Sequence, residues 1–391
     1  MRAAGLLGGM VIAFAVAGSG CRIGFDPLRD PPLIDVPPAP PLCVGTRVPV
    51  CFDQPPDMAV MFVEDTDLDT DRSQRCAQAS DRSAEYCVVA ATQITIAPGV
   101  TLRGHGARPL VLVATELIDI QGSIDVHSEQ SAPSIPGAGA GTAASCPSDG
   151  AAPVAAGGGY GGSFQGRGGQ GKPANPPELP ATAPSPLDQM PELRGGCPGG
   201  DGGTVGGAVG GGAGGAGGGA VALVGGTIRI HVVPSVGACR VAGHLADGCI
   251  DASGAGGTGG AKLAGGAGGG GGGTGGMIVI DAEPFDISGA RLFANGGGGG
   301  EGGGPNAPGI PGEEASGPGR PAPGGVVEAN NESGDGAPGS SGTVLNGAGA
   351  DDSTCCGGGG GGGGGAAGYI RAPVFTDGEV DPPPTDPPPP H

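Results

Sequence analysis

The sequence predicts an all-β fold, a short right-handed parallel β-helix (a solenoid) with long glycine-rich insertions. The main observation is a repeat: residues 110–126, 220–230 and 277–291 each read as two short runs of alternating apolar residues. Alternation with a period of two is typical of strands with one buried face. Strand pairs this short cannot bury that face alone, so stacking of successive copies is favoured. The right hand follows from the general handedness of parallel crossovers.

The second observation is that the copies align position by position. We expect equivalent side chains to lie above one another in parallel strands. The predicted stacks are Val111–Val221–Ile278, Ile118–Ile228–Phe285 and Asp119–Arg229–Asp286. The last stack alternates in charge, which suits direct neighbours in a sheet. Residues 370–375 repeat the pattern of 280–285 in shortened form.

The third observation is that a glycine-rich insertion follows each copy, at 137–219, 254–276 and 296–365. Glycine loses the most conformational entropy on ordering and offers no side chain to bury. Two interpretations are open: the insertions are disordered, or they form extended polyglycine helices joined by backbone hydrogen bonds. Partial order is favoured, because cysteines in separate insertions could link them.

Composition restricts the partners of the chain. It contains 92 glycines and 41 prolines, and its formal net charge is -20. Nucleic acids and anionic membrane surfaces both require a basic footprint, so neither is expected as a partner.

The chain divides into five predicted segments. Residues 1–20 form a signal peptide with Arg2, an apolar run and small residues. Residues 21–42 are a Pro-rich spacer, and 43–103 are a cysteine-containing β region. Residues 104–376 hold the repeats with their insertions, and 377–391 are a Pro-rich tail with no core to join.

The end of the signal peptide resembles a bacterial lipoprotein signal. Small residues, Gly18, Ser19 and Gly20, precede Cys21. This resemblance implies that Cys21 becomes the lipidated first residue. Gly18 departs from the pattern, which prefers leucine there.

The remaining ten cysteines predict disulfides in an oxidising compartment. Sequence proximity suggests local bridges, namely Cys43–Cys51, Cys76–Cys87 and Cys239–Cys249. Adjacent cysteines rarely bond each other. Cys355 and Cys356 are therefore expected to reach Cys146 and Cys197, one each. A zinc site is the competing interpretation, but the spacing of paired ligands that it needs is missing.

Acidic residues supply the candidate ligand and catalytic groups. Asp65, Asp67, Asp69 and Asp71 alternate as in a calcium loop, but the glycine and glutamate of that template are absent. Calcium at this run is weighed against a solvated loop, and no other cofactor is expected. A second set comprises Asp125 and Asp251, which are equivalent in the repeat alignment.

Histidines provide no clear site. His127, Ser128 and Glu129 are consecutive, but a hydrolase triad needs partners that the sequence does not reveal. His231 and His244 flank the predicted Cys239–Cys249 loop, where surface positions are favoured over a metal pair.

Taken together, the signal, the spacer and the repeats, such as GGMIVIDAEPFDISGARLFANGGGGG, resemble glycine-rich bacterial cell-surface lipoproteins with short β-helix-like repeats. The mycobacterial PGRS proteins are similar only in glycine content. The resemblance implies a lipid-anchored protein of the cell envelope, at the outer membrane or cell surface. The expected function is a non-enzymatic structural or adhesive protein, with surface glycans or other envelope proteins as partners.

Two alternatives are kept. The first is a β-helical carbohydrate-binding or carbohydrate-active protein that uses calcium or the paired Asp125 and Asp251. The second is a disordered matrix or spacer protein.

Overall fold

The computed structural model describes residues 41–76, 80–131, 134–174, 178–189, 192–207, 209–231, 238–241, 243–286, 288–326, 333–351, 357–373 and 378–385. Within these residues the regular structure is almost entirely β. The strands are β1 (Leu42–Val44), β2 (Val50–Phe52), β3 (Val60–Phe62), β4 (Thr66–Asp69), β5 (Cys87–Ile96), β6 (Thr101–His105), β7 (Leu110–Ile120), β8 (Ser123–Asp125), β9 (Ala220–Ile230), β10 (Arg240–Val241), β11 (His244–Leu245), β12 (Cys249–Asp251), β13 (Met277–Ala282), β14 (Phe285–Asp286), β15 (Arg291–Phe293), β16 (Tyr369–Arg371) and β17 (Glu379–Asp381). The described helices are short 3-10 turns, at Gln74–Cys76, Ala143–Ser145 and Val205–Gly207.

Most strands belong to two parallel sheets. The seven-stranded sheet has the order β16-β13-β9-β7-β5-β3, with β14 paired to β9, and the six-stranded sheet has the order β17-β15-β12-β8-β6-β4. Their inner faces share one aliphatic core, to which Leu112 and Ile118 contribute from one sheet and Ile124 from the other. The outer face of the seven-stranded sheet is covered in part by the β1–β2 hairpin through Val50 and Phe52.

The predicted right-handed β-helix is wrong. The structure consists of separate parallel sheets, not a solenoid. Parallel strands in register align equivalent residues in any parallel sheet, so the sequence repeat could not distinguish the two architectures. The connections distinguish the two architectures: the described residues within 126–219, 252–276 and 294–368 leave the sheets and form a second body instead of turns of a coil.

The register is predicted correctly in part. Ile118, Ile228 and Phe285 are neighbours, and the Asp119–Arg229–Asp286 ladder is confirmed. In the first half of the repeat, however, Val221 lies opposite Leu110 instead of Val111. The pairing shifts because two residues of β7, 115 and 116, stand opposite one residue of β9. Ile370 pairs with Ile278 and not with Ile280.

The start of the predicted Pro-rich tail joins the fold. Residues 379–381 form β17, which pairs with β15 and buries Asp381. The tail segment of 377–391 therefore contributes an edge strand before its prolines begin.

The second body is a lattice of extended glycine-rich segments, called here the glycine lattice (described residues 137–219, 252–276 and 294–368). In segment 268–276, N–H groups three residues apart donate to the same neighbour. The three acceptor segments are 197–203, 252–258 and 360–366. Its carbonyl groups accept from three further segments, which are 159–162, 212–218 and 297–300. A repeat of three residues per turn, with no internal hydrogen bonds, is that of a polyproline-II-type helix.

Two other segments are likewise hydrogen-bonded through their backbones to six neighbouring segments each. Segment 296–303 bonds to 257–260, 267–273, 310–313, 325, 334–337 and 359–365. Segment 358–368 bonds to 156–162, 165–172, 269–275, 294–303, 334–340 and 345–348. These three interior helices coincide with the longest glycine runs of the sequence. The ordered interpretation of the insertions is therefore correct for the residues that the structure describes.

Glycine is required in the interior helices because a neighbour approaches on every side. A Cβ built on Gly271 would lie 1.8 Å from the carbonyl oxygen of Tyr160. The interior helix 268–276 leads directly into β13, and 358–368 leads directly into β16. The lattice is thus continuous with the sheets.

Candidate functional site

The outer face of the six-stranded sheet carries a row of charged side chains. Strand alternation directs Leu102 and Ile124 into the core, which places their neighbours on the opposite face. The register sets Arg103 beside Asp67 on one side and Asp125 on the other. Asp125 in turn lies beside Asp251. The equivalence of the two aspartates predicted from the repeats is thus reproduced by direct strand pairing.

A small hairpin covers part of this face. It consists of β10 and β11 and is closed by the disulfide Cys239–Cys249. Leu245 and Phe293 pack with both cysteines beneath it in a small apolar cluster. This cover explains why the polar residues of β12 are buried on the outer side of the sheet.

Arg240 of the hairpin lies among the charged groups. Its Nη2 atom is 2.6 Å from Asp251 Oδ2, 3.0 Å from Asp125 Oδ2 and 3.0 Å from His127 Nδ1. The Nδ1 atom of His127 is also 2.5 Å from Asp125 Oδ1. We call Asp125, His127, Arg240 and Asp251 the outer-face cluster. All three potential ligands around Arg240 are buried.

The charges of the cluster support one another. Burial opposes ionisation of Asp125, but attraction to and hydrogen bonds from His127 and Arg240 outweigh it and hold the pKa of Asp125 below its usual range. Burial likewise opposes the charge of Arg240, but Asp251 and Asp125 raise its pKa above the ordinary value. The cluster is therefore a buried ion network in which the guanidinium is the central cation.

A cleft opens beside the cluster. It has a volume of about 260 Å³ and is lined by Asp65, Asp67, Arg103, Asp125 and His244, among other residues. The cleft places solvent next to the carboxylate of Asp125. It gives small polar solutes a route to the edge of the cluster.

The weak calcium candidates do not converge. Asp65 Oδ1 accepts a hydrogen bond from Thr101 N, and Asp71 Oδ2 accepts one from Ala107 N. Asp69 Oδ1 accepts from the backbone N–H of Asp71, while Asp67 faces His105 at 3.8 Å. These carboxylates have different partners, and in the described part of the chain the acidic run does not form a group of three or more ligand atoms close enough to share an ion.

The histidine and serine candidates have structural partners. The hydroxyl of Ser128 donates to the carbonyl of Gly217 and accepts from the N–H of Gly137. Glu129 pairs with Arg103. His231 Nε2 lies 2.8 Å from Asp119 Oδ1. Of the consecutive residues 127–129, only His127 joins the cluster.

The described residues form four disulfides. Cys43–Cys51, Cys76–Cys87 and Cys239–Cys249 are the local bridges expected from the sequence. The prediction that Cys146 and Cys197 bond Cys355 and Cys356 is wrong, because Cys146 bonds Cys197 directly. Cys21, Cys355 and Cys356 lie outside the described residues, as do the signal peptide and most of the spacer.

Sequence reasoning missed Arg240. The residue follows Cys239 in a loop that the cysteine spacing predicts to be closed, but no local pattern indicates which way its side chain points. Its partners come from residues 115 and 11 positions away, so only the tertiary structure brings them together.

No protein-family model, curated protein or solved structure matches this chain. Among the described residues, no helix is sufficiently long and apolar to cross a membrane.

Proposed function

We propose that the chain is a non-enzymatic structural and adhesive protein that is lipid-anchored at the surface of a bacterial envelope. The observation that carries this proposal is the glycine lattice. Its three interior helices contain almost no side-chain chemistry, yet their backbone groups are bonded to six neighbouring segments each. Such a body provides stiffness and a defined outer surface.

The outer segments of the lattice supply contact residues. Glycine is needed only where a segment faces a neighbour, so the remaining positions carry side chains. Several are large, apolar and exposed: Leu179 is 76% exposed, Val209 98% and Val344 63%. In the proposed function, these exposed apolar side chains are the points at which the ordered lattice touches other surfaces.

The proposed attachment of the protein to a membrane depends on the predicted signal peptide and spacer, residues 1–42. The resemblance of residues 1–21 to a lipoprotein signal supports a lipid on Cys21. One lipid modification with several chains would hold the protein on a membrane, and the Pro-rich spacer would separate the body from it. The Cys21→Ser variant should move from the detergent phase to the aqueous phase in a phase-partition assay.

We do not propose the carbohydrate-active alternative. Asp125 and Asp251 are adjacent, but both carboxylates are hydrogen-bonded to Arg240. No separate observation favours glycan cleavage over a structural ion network.

Adhesion can be tested on whole cells that produce the full chain. Retention of the cells on polystyrene under flow should fall several-fold for the variant Leu179→Ser/Val209→Ser/Val344→Ser. The matched control replaces exposed apolar residues outside the lattice, Met58, Met61 and Val63, with serine. This control should leave retention unchanged.

Two results would contradict the proposal. Equal loss in both variants would mean that general hydrophobicity, not the lattice surface, causes retention. Release of reducing sugar from polysaccharides by the purified protein, abolished in Asp125→Asn/Asp251→Asn, would establish an enzyme instead.

A further inference from the structure

The outer-face cluster has the donor set of a metal site. Ligand atoms of Asp125, His127 and Asp251 all lie within 4.8 Å of one another, and all three residues are buried. Two carboxylates with one imidazole suit divalent transition metals such as zinc. The two aspartates are on paired strands, which fixes their separation.

A cation already occupies the point where these donors converge. The Nη2 atom of Arg240 is within 3.0 Å of an atom from each of the three residues. The donors are therefore oriented toward a positive charge at their centre. A zinc ion would need bonds of about 2.0–2.2 Å, which requires only a small contraction of the group.

A neighbouring side chain supplies an independent observation. The Oγ atom of Ser253 is fully buried and has no hydrogen-bond partner among the described residues. Ser253 follows Asp251 by two positions, and its N–H donates to Asp251 Oδ1 at 2.8 Å. A buried hydroxyl without a partner is costly, and a metal or a metal-bound water would satisfy it.

The geometry allows a metal ion to reach the cluster and the Arg240 side chain to leave it. The cleft of about 260 Å³ reaches Asp125 from the solvent side. Arg240 is on a two-residue strand whose partner strand is β11, and its N–H donates to the carbonyl of Ser316. Its side chain can therefore leave the cluster without breaking either parallel sheet.

We propose that Asp125, His127 and Asp251, assisted by Ser253, form a binding site for a divalent transition-metal ion, and that Arg240 competes with the ion for this site. Arg240 holds the site closed when metal is scarce. An ion that enters from the cleft displaces the guanidinium and loosens the hairpin, which stays tied to β12 by the disulfide Cys239–Cys249. Metal concentration would thereby set the order of β10 and β11.

Metal titration of the full, non-reduced chain tests the proposal. Affinities for Zn²⁺ are measured by calorimetry and for Co²⁺ by its visible absorbance, after removal of metal with a chelator. Arg240→Ala should bind Zn²⁺ about 10- to 100-fold more tightly than the wild type, in the range of typical coupling between two ligands. Arg240→Lys keeps the competing charge and should resemble the wild type. Arg240→Ala/His127→Ala should lose the site.

Arg167→Ala is the matched control, since the Arg167 guanidinium donates to the carbonyl of Ala183 in the glycine lattice and is not part of the outer-face cluster or its cleft. It should leave Zn²⁺ affinity unchanged. A second measurement on the wild type does not depend on folding of any variant. Saturating Zn²⁺ should increase hydrogen exchange in residues 238–249, because Arg240 is displaced.

The proposal is overturned if wild-type exchange in the hairpin does not change with Zn²⁺. It is equally overturned if folded Arg240→Ala binds Zn²⁺ no more tightly than the wild type. Binding that persists in Arg240→Ala/His127→Ala would place the metal elsewhere and also reject the assignment.

Discussion

The parallel sheets and the glycine lattice are two ordered bodies with opposite kinds of interior. Between the sheets, fully buried aliphatic side chains such as Leu112, Ile118 and Ile280 fill the core. In the lattice, the interior helices have almost no side chains, and backbone groups make the contacts. One body is stabilised mainly by removal of apolar surface from water, and the other by hydrogen bonds and close packing of the main chain.

The two interiors should therefore be destabilised by opposite kinds of substitution. A side-chain core is damaged when atoms are removed and a cavity remains. A lattice of glycine helices is damaged when one atom is added, as in the collagen triple helix. The lattice also buries few apolar side chains, so little hydrophobic stabilisation offsets the conformational entropy that its glycines lose on ordering. Disulfides should therefore contribute more to the stability of the lattice than to that of the sheets.

The largest effect is expected at the lattice disulfide. Cys146 and Cys197 are separated by 51 positions, and the chain-entropy estimate for such a loop is about 4 kcal/mol. The double variant Cys146→Ser/Cys197→Ser should lose about this much free energy of unfolding, measured with denaturant.

The disulfide Cys43–Cys51 of the β1–β2 hairpin serves as the comparison. Its separation is only 8, which corresponds to about 2.5 kcal/mol in the same estimate. A larger loss at Cys43/Cys51 than at Cys146/Cys197 would show that the lattice does not depend on its covalent link.

Removal of atoms from the sheet core should have the next largest effect. Leu112 is fully buried, and Leu112→Ala should cost about 3–4 kcal/mol in free energy of unfolding. Met61→Ala, at a side chain that is 61% exposed on edge strand β3, should cost less than about 0.5 kcal/mol. Thermal unfolding compares the two. Similar values would mean that the space between the sheets is not the core.

Replacement of the charged group Asp125 in the sheet region should destabilise the protein by an amount that depends on pH. Asp125→Asn removes one partner of a buried pair and should cost about 3 kcal/mol at pH 7. The pKa of Asp125 is lowered in the folded protein from an unfolded value of about 3.9. Its stabilisation is therefore complete above about pH 4 and is lost as the pH falls through the folded pKa.

Unfolding with denaturant at several pH values checks this prediction. The difference between the wild type and Asp125→Asn should be constant from pH 7 to about pH 4 and should shrink below it. For comparison, the cost of Leu112→Ala should not change with pH. A difference that grows in acid would contradict the assigned ion network.

Addition of one methyl group to the lattice should have the smallest of these effects. Here the protein is destabilised by an added atom, whereas the sheet core is destabilised by removed atoms. Gly271→Ala forces a Cβ against the Tyr160 carbonyl and should cost about 2 kcal/mol through overpacking. Gly349→Ala is the matched control, because the nearest atom to its Cβ is 3.9 Å away. It should be within about 0.5 kcal/mol of the wild type. Equal effects at both positions would contradict a close-packed lattice.

The strand repeat made much of the β structure predictable. Alternating apolar residues located β7, β9 and β13, and charge alternation identified the Asp119–Arg229–Asp286 ladder. The architecture could not be predicted, since in-register parallel pairing is common to open sheets and solenoids. The bulge opposite Gly226 was equally hidden, because a one-residue shift leaves a plausible apolar alignment in place.

The glycine lattice and the outer-face cluster depend on long-range contacts. A run such as 268–273 is equally compatible with disorder and with an interior helix, and only its six neighbours distinguish them. The equivalence of Asp125 and Asp251 could be obtained from the repeat. The position of Arg240 could not, because a two-residue strand is too short to show a periodicity that would fix the direction of its side chains.

Hydrogen exchange of the full, non-reduced chain distinguishes an ordered lattice from disordered insertions. Amides of the glycine runs 268–273, 296–300 and 358–365 should be protected to a degree similar to those of β7, since most of their N–H groups donate to neighbouring segments. Exchange of these runs at the rate of an unstructured peptide, with β7 still protected, would contradict an ordered lattice.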